Sequence, residues 1–208
     1  AAAAVTDRIR LGTGICLVAQ RDPVVLAKEV ATLDALSKGR FVFGVGFGWN
    51  HEEMETHGVE VRRRRSIARE KMLAMRELWS KERASFDGRF VKLEESWSWP
   101  KPVQQPAPRT LLGGAPGPKL FAHVAEYADG WMPIGGAGVA AALPELRAAM
   151  EKAGRDPDCA DIVPFGTLPD REKLDYYASL GIEEVVLRIP SAPAEEIVPL
   201  LDRYAGFL

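Results

Sequence analysis

Cysteine and histidine are scarce in this chain: Cys16 and Cys159, and His51, His57 and His123, in 208 residues. Two such thiols supply neither a disulfide framework nor a zinc site, and they fit a reducing, cytoplasmic setting. The histidines lack metal spacing, since His51-Glu52-Glu53-Met54-Glu55 has no second histidine to complete H-E-x-x-H. No metal is therefore expected. A serine-centred nucleophile elbow is missing as well. No apolar run approaches the roughly 20 residues that cross a bilayer, and no basic segment precedes an apolar one as in a leader peptide. The net charge of −2 lacks the basic footprint of a nucleic-acid binder. With these classes set aside, the chemistry is expected to be borrowed from a bound cofactor and directed at a small molecule.

The remaining composition, 47% apolar and 27% charged, is that of a globular chain long enough for one domain with a sizeable core. Four alanines run into Val5-Thr6-Asp7-Arg8, which reads as the last turns of a helix. Apolar runs and helical periodicity then alternate. Ile9 to Leu17 is a glycine-broken strand, and Asp22-Pro23 supplies an N-cap and a first-turn proline. The helix so opened places Leu26, Val30, Leu33 and Leu36 on one face and stops near Gly39. Phe41 to Val45 is the next strand, followed by a helix over Ser66 to Trp79. Thr110 to Leu112, Gly130 to Ile134, Ile162 to Phe165 and Glu184 to Ile189 follow as strands, the last the clearest of all. Helices are expected through Leu120–Ala128, Leu143–Ala153, Arg171–Leu180 and Ile197–Tyr204. Six strand–helix units in a row demand a parallel sheet with right-handed crossovers, either a doubly wound open sheet or a barrel.

Residues 80–109 break the rhythm, with a hairpin turn at Phe86–Phe90, then Trp97, Trp99 and four prolines. A connection of this length is expected to be a lid, or else its tryptophans plug one end of the barrel. The most informative stretch is Thr110 to Phe121: a short apolar strand, the turn Gly113-Gly114-Ala115-Pro116-Gly117, and a helix opened by Pro118. Glycines admit a ligand close to the backbone, and the first amides of a helix are free and partially positive. The combination is either a phosphate seat at the carboxyl end of a strand or a plain connection. Gly44-Val45-Gly46-Phe47-Gly48-Trp49-Asn50 fails as a dinucleotide fingerprint, because Trp49 stands where the third glycine belongs and no helix follows at once. Gly12-Thr13-Gly14-Ile15 puts two glycines inside a strand, as a bulge, a close ligand approach or helix packing requires. The run Arg62 to Arg65 reads as solvated surface.

These positions together resemble the luciferase-like family of flavin and deazaflavin oxidoreductases. The likeness spans nearly the whole chain and is carried by Ile9 to Ile15, Arg21 to Val24, Leu33-Asp34 with Gly39-Arg40, Gly44 to Asn50, Arg64 with Glu70, and Gly113-Gly114 followed by Ala128-Asp129-Gly130. The resemblance implies a (β/α)₈ barrel of the TIM type, here a single domain over residues 1–208 with about six of the eight units, the first two strand–helix units being absent. It implies F420, alternatively FMN, at the carboxyl ends of the strands. A non-prolyl cis peptide against the ring is implied at Gly14-Ile15 or at Thr13-Gly14. The implied cofactor-binding residues are Thr13, Gly14, Ile15, Gly46, Asn50, Gly113, Gly114, Ala115, Gly117 and Pro118. No residue is assigned a catalytic role. The expected activity is hydride transfer between F420 and an organic substrate. An FMN-dependent monooxygenase is the alternative, and a non-catalytic flavin-binding or interaction protein on a partial barrel is the alternative of another class. A homodimer is expected.

Overall fold

A computed structural model describes residues 1–207. The first strand is interrupted, as β1 (Leu11–Gly12) and β2 (Cys16–Leu17), and both halves pair in parallel with β3 (Phe41–Gly46). Between them α1 (Pro23–Leu36) starts where the sequence says it should: Asp22 accepts from the amides of Val24 and Val25 at 2.9 Å, and Pro23 fills a position whose missing N–H costs nothing. Then follow α2 (His51–Thr56), α3 (Arg64–Ser80), the antiparallel hairpin β4 (Ala84–Asp87) and β5 (Lys92–Ser96), β6 (Thr110–Gly113), α4 (Pro118–Tyr127), β7 (Gly130–Met132) and α5 (Val139–Lys152). The chain continues with β8 (Asp161–Ile162), β9 (Phe165–Thr167), α6 (Arg171–Ser179), β10 (Val186–Leu187) and α7 (Ala194–Ala205).

All pairings outside the hairpin are parallel, in the order β1/β2, β3, β6, β7, β8. A bridge from Ile134 to Phe165, and the bond from Phe165 N to Pro133 O at 2.8 Å, carry the sheet on into β9 and its parallel partner β10. The main core lies between the sheet and its helices, around Phe43, Val45, Trp79, Leu112, Phe121 and Trp131. A smaller cluster, Val42, Leu111, Met132 and Val163, fills the opposite, inner face. Alternate residues of β3 point to opposite faces, so all six are buried, the mark of a strand covered on both sides.

The sheet curls. A Cβ placed on Gly14 would stand 2.6 Å from the Phe165 ring of β9, across the inner face. At the amino-terminal end, Arg10 pairs with Glu184 at 2.8 Å, and Arg109 joins the same carboxylate and Asp161, each at 2.7 Å. These pairs tie the start of the first strand to the last. The fold is thus the curled parallel sheet of a TIM-type barrel rather than a flat doubly wound one.

Several expectations are corrected. The opening alanines form only a 3₁₀ turn, Ala2–Ala4, since a single turn is too short to sustain an α-helix. The strand expected over Glu184–Ile189 shrinks to Val186–Leu187, paired on one side only and with a register shift, because Glu184 is drawn into the arginine network. Ile162 to Phe165 splits at Val163-Pro164 into two short strands. The segment expected as a lid is anchored at two places. The hairpin packs against α3, where Glu70 accepts from the amides of Phe90 and Val91 at 2.6 and 3.1 Å. Further on, Gln104 donates to buried Asp34 and to Phe41 O at the amino-terminal edge of β3. Trp97 and Trp99 plug nothing: both are exposed, over the cations of Arg83 and Lys101.

Candidate active site

Glycines line the inner face where the strands end. Gly44 and Gly46 alternate with Phe43 and Val45, so their missing side chains face inward, above Val42. A Cβ on Gly44 would run into the carbonyl oxygen of Thr13 and approach Met132 Cε to 3.2 Å. On Gly46 it would reach Ile15 Cγ1 at 2.8 Å, and on Gly113 Ile15 Cγ2 at 3.1 Å. The side chain of Ile15 therefore lies over two glycines from two neighbouring strands. The break between β1 and β2 that sends it there contains a cis peptide at Gly14-Ile15, and the Thr13 hydroxyl donates to Gly44 O at 2.7 Å. Thr13, Gly14, Ile15, Gly46 and Gly113 are thus brought into one shallow floor. A groove of about 610 Å³ runs between the first strand and α1, lined among others by Thr13, Ile15, Cys16, Leu26, Val30 and Phe43, on the helix side of the sheet.

From Gly113 the chain enters the turn. Gly114 and Gly117 have φ of 152° and 148°, a region that favours glycine, and Pro118 occupies the first position of α4. Trp131, fully buried, pins the turn by donating its indole N–H to Gly114 O at 2.9 Å. Gly117 O accepts the first two helix bonds, from Leu120 and Phe121. Among the described residues the amides of Ala115, Gly117 and Lys119 donate to no protein group. No side chain caps α4. Exposed N–H groups at the positive end of a helix dipole, with no competing cap, form a seat for an anion. It lies at the end of the strand whose last residue, Gly113, touches Ile15.

Asn50 is not part of this floor. Its Oδ1 caps α2 by accepting from Glu53 N at 3.2 Å. That six-residue helix was absent from the sequence expectation, although Asn50-x-x-Glu53 is the spacing of a capping box. Beside it, Phe47 carries the Arg65 guanidinium 4.5 Å above its ring and packs against His123, which in turn contacts Tyr127. Burial and the neighbouring Arg65 charge push the His123 pKa down, and burial pushes that of Tyr127 well up. Arg65, expected on a solvated surface, is instead half-buried in this wall between β3 and α4.

Two contributors went unnoticed in the sequence. Phe165 closes over Gly14, and a second glycine turn, Gly135-Gly136-Ala137-Gly138, opens α5 after β7 just as Gly113–Gly117 opens α4 after β6. The repeat of a glycine cluster between an apolar strand and a helical run was the available signal. Among the described residues no cluster of metal-ligating side chains forms, and no helix is long and apolar enough to cross a membrane.

Comparison with known proteins matches residues 1–173 to the model of the luciferase-like monooxygenase family. An uncharacterized protein of Mycobacterium tuberculosis is 44% identical over 209 residues, covering the whole chain and 73% of that protein. An F420-dependent glucose-6-phosphate dehydrogenase of Kineococcus radiotolerans is 34% identical over 160 residues, 74% of this chain and 47% of that protein. Among solved structures, a monooxygenase from Streptomyces bottropensis superposes with a TM-score of 0.84 at 23% identity, over the whole chain and 79% of that chain, a likeness of fold.

Proposed function

This chain belongs to the luciferase-like monooxygenase family, whose members use F420 or FMN, and from that premise we propose that it is an F420-dependent oxidoreductase. It exchanges a hydride between the deazaflavin and an organic substrate. The observation that carries the reading is the continuity of two features: a glycine floor under Ile15, and free amides at the start of α4, joined through Gly113. The bare positions at Gly46 and Gly113 let Ile15 settle low on the strands, and a flat ring would lie against the Ile15 side chain above them. The seat accepts a phosphate because its donors have no protein partner. The choice of F420 over FMN rests on the dehydrogenase relative.

The residues divide the work. When bound, the deazaflavin supplies a ring carbon that takes up or returns a hydride. Ile15 backs the ring and fixes which face it presents. The amides of Ala115, Gly117 and Lys119 hold the phosphate, and Trp131 keeps their turn in place through Gly114 O.

Titration of the purified chain with F420 and with FMN tests the reading. Saturable, preferential binding of F420 supports it. Preference for FMN would turn the reading to an oxygenase on the same seat, and binding of neither would leave a non-catalytic barrel protein. The same reading includes a homodimer.

A further inference from the structure

Large apolar side chains stand in solvent around the carboxyl end of the barrel. Trp49 is 87% exposed just past β3 and Ile134 is 82% exposed past β7, with Leu168 exposed past β9 and Ile189 past β10. Ile15 joins them from the floor itself. One exposed apolar residue means little, but a cluster at one end of a fold marks a binding surface. Ile15, Ile134, Leu168 and Ile189 belong together. Ile134 bridges Phe165, whose ring lies against Gly14, the residue before Ile15. Arg188 N bonds Thr167 O at 2.8 Å, so Leu168 and Ile189 each lie one residue beyond a paired position on neighbouring strands. The patch is continuous with the proposed ring seat.

We propose that the substrate is an uncharged, largely hydrocarbon molecule that lies from Ile15 across Phe165 to Ile134. This deepens the oxidoreductase reading and rests on it. The rival is a phosphorylated substrate, whose anion would sit at the start of α5 near Lys173. A single lysine there stands against apolar side chains from several strands. The free amides at Gly113–Lys119, the other anion seat at this end, are already taken by the cofactor's own tail.

The test uses 2-undecanone and glucose 6-phosphate as probes on the full chain, with and without F420, read by tryptophan emission and by calorimetry. The ketone is expected to bind saturably and to shift the emission of Trp49 to the blue. Glucose 6-phosphate is expected not to bind at millimolar concentration. Ile134→Ser with Leu168→Ser should weaken the ketone roughly tenfold, leave F420 affinity unchanged, and leave the far-ultraviolet circular dichroism intact, since both side chains are exposed. Trp49→Phe should remove the emission shift while the calorimetric signal remains. The proposal is overturned if glucose 6-phosphate binds and Lys173→Ala abolishes it. It is equally overturned if ketone binding ignores the double substitution, or if that substitution converts a dimer to a monomer in sedimentation, which would assign the patch to a second copy. F420 binding without ketone binding sinks only the substrate class, and ketone binding without F420 sinks the cofactor reading instead.

Discussion

Gly117→Ala separates the anion seat from the ring floor. Gly117 has φ of 148°, and a Cβ built on it meets nothing within 4 Å. The cost of alanine is therefore conformational rather than steric, about 1–3 kcal/mol if the backbone stays where it is. If the backbone relaxes, the peptide carrying the Gly117 amide must turn, and Gly117 O can no longer accept from both Leu120 and Phe121 at 3.0 Å. Those two bonds are worth about 0.5–1.5 kcal/mol each, so stability falls by a similar amount either way. Binding responds more selectively. One lost hydrogen bond to a charged phosphate is worth about 1.5–3 kcal/mol, which weakens F420 roughly ten- to hundredfold. A deazaflavin lacking the phosphate tail makes no such contact and should bind the variant as it binds the native chain. Fluorescence titration of both ligands, alongside urea unfolding, gives the comparison. The reasoning is refuted if the tailless ring loses as much affinity as F420.

Further outcomes follow from buried groups. His123 has its pKa lowered in the fold by burial and then by Arg65. The unfolded chain takes up a proton near pH 6.5 that the folded one refuses, so stability is full above that pH and declines as pH falls below it. Urea midpoints from pH 8 to 5 should show the decline, and His123→Phe should flatten it. Burial raises the Cys16 thiol above the ordinary range, whereas Cys159 is exposed. Iodoacetamide at pH 8 should label Cys159 in the folded chain and Cys16 only after unfolding, as peptide mass spectrometry would read; rapid labelling of Cys16 in the fold would contradict its burial. Asp34 is fully buried and accepts from Gln104 N and Nε2. Asp34→Ala should cost about 2–4 kcal/mol in urea unfolding while leaving F420 affinity unchanged, because the pair sits at the opposite end of the barrel. Sedimentation at micromolar concentration should show a dimer.

The sequence makes the helix layer and the central strands legible because each carries its own local reason. Asp22-Pro23 caps a helix by side-chain chemistry alone, and Phe41 to Gly46 is apolar on both faces whatever its neighbours are. What fails is whatever depends on a partner. Glu184 to Ile189 reads as strand, yet its pairing is limited to Val186 and Leu187 by a single neighbour and by the ion pairs of Glu184. The segment 80–109 carries the composition of a lid, but its position is set by Glu70 and Asp34, which bind its backbone and Gln104 across long stretches of chain. Asp34, Arg40 and Glu70 sit in the stretches that resemble the family, and each proves to be a clamp on backbone groups. Resemblance marks such residues without saying whether they bind a ligand or hold the chain.

The site is legible to the extent that it is built from glycine. Two glycines two apart in a strand, as at Gly44 and Gly46, must face the same way. A buried strand that leaves one face bare at its carboxyl end weakens itself unless something fills the space. Here Ile15 fills part of it, and Val42, Leu111, Met132 and Val163 pack the level below. The inner face is therefore closed at one end and shallow at the other, and the shallow end is the one where Gly113 leads into unpaired amides. Side chains in this arrangement come from distant strands, so Phe165 over Gly14 leaves no trace in any local pattern. Asn50 has two sides: its oxygen caps the start of α2, while no protein acceptor engages its Nδ2 among the described residues. An amide that caps a helix has a local reason to be there, as have glycines that make room for Ile15 and Thr13 O, whereas the bare N–H groups at the start of α4 have none and point to a ligand.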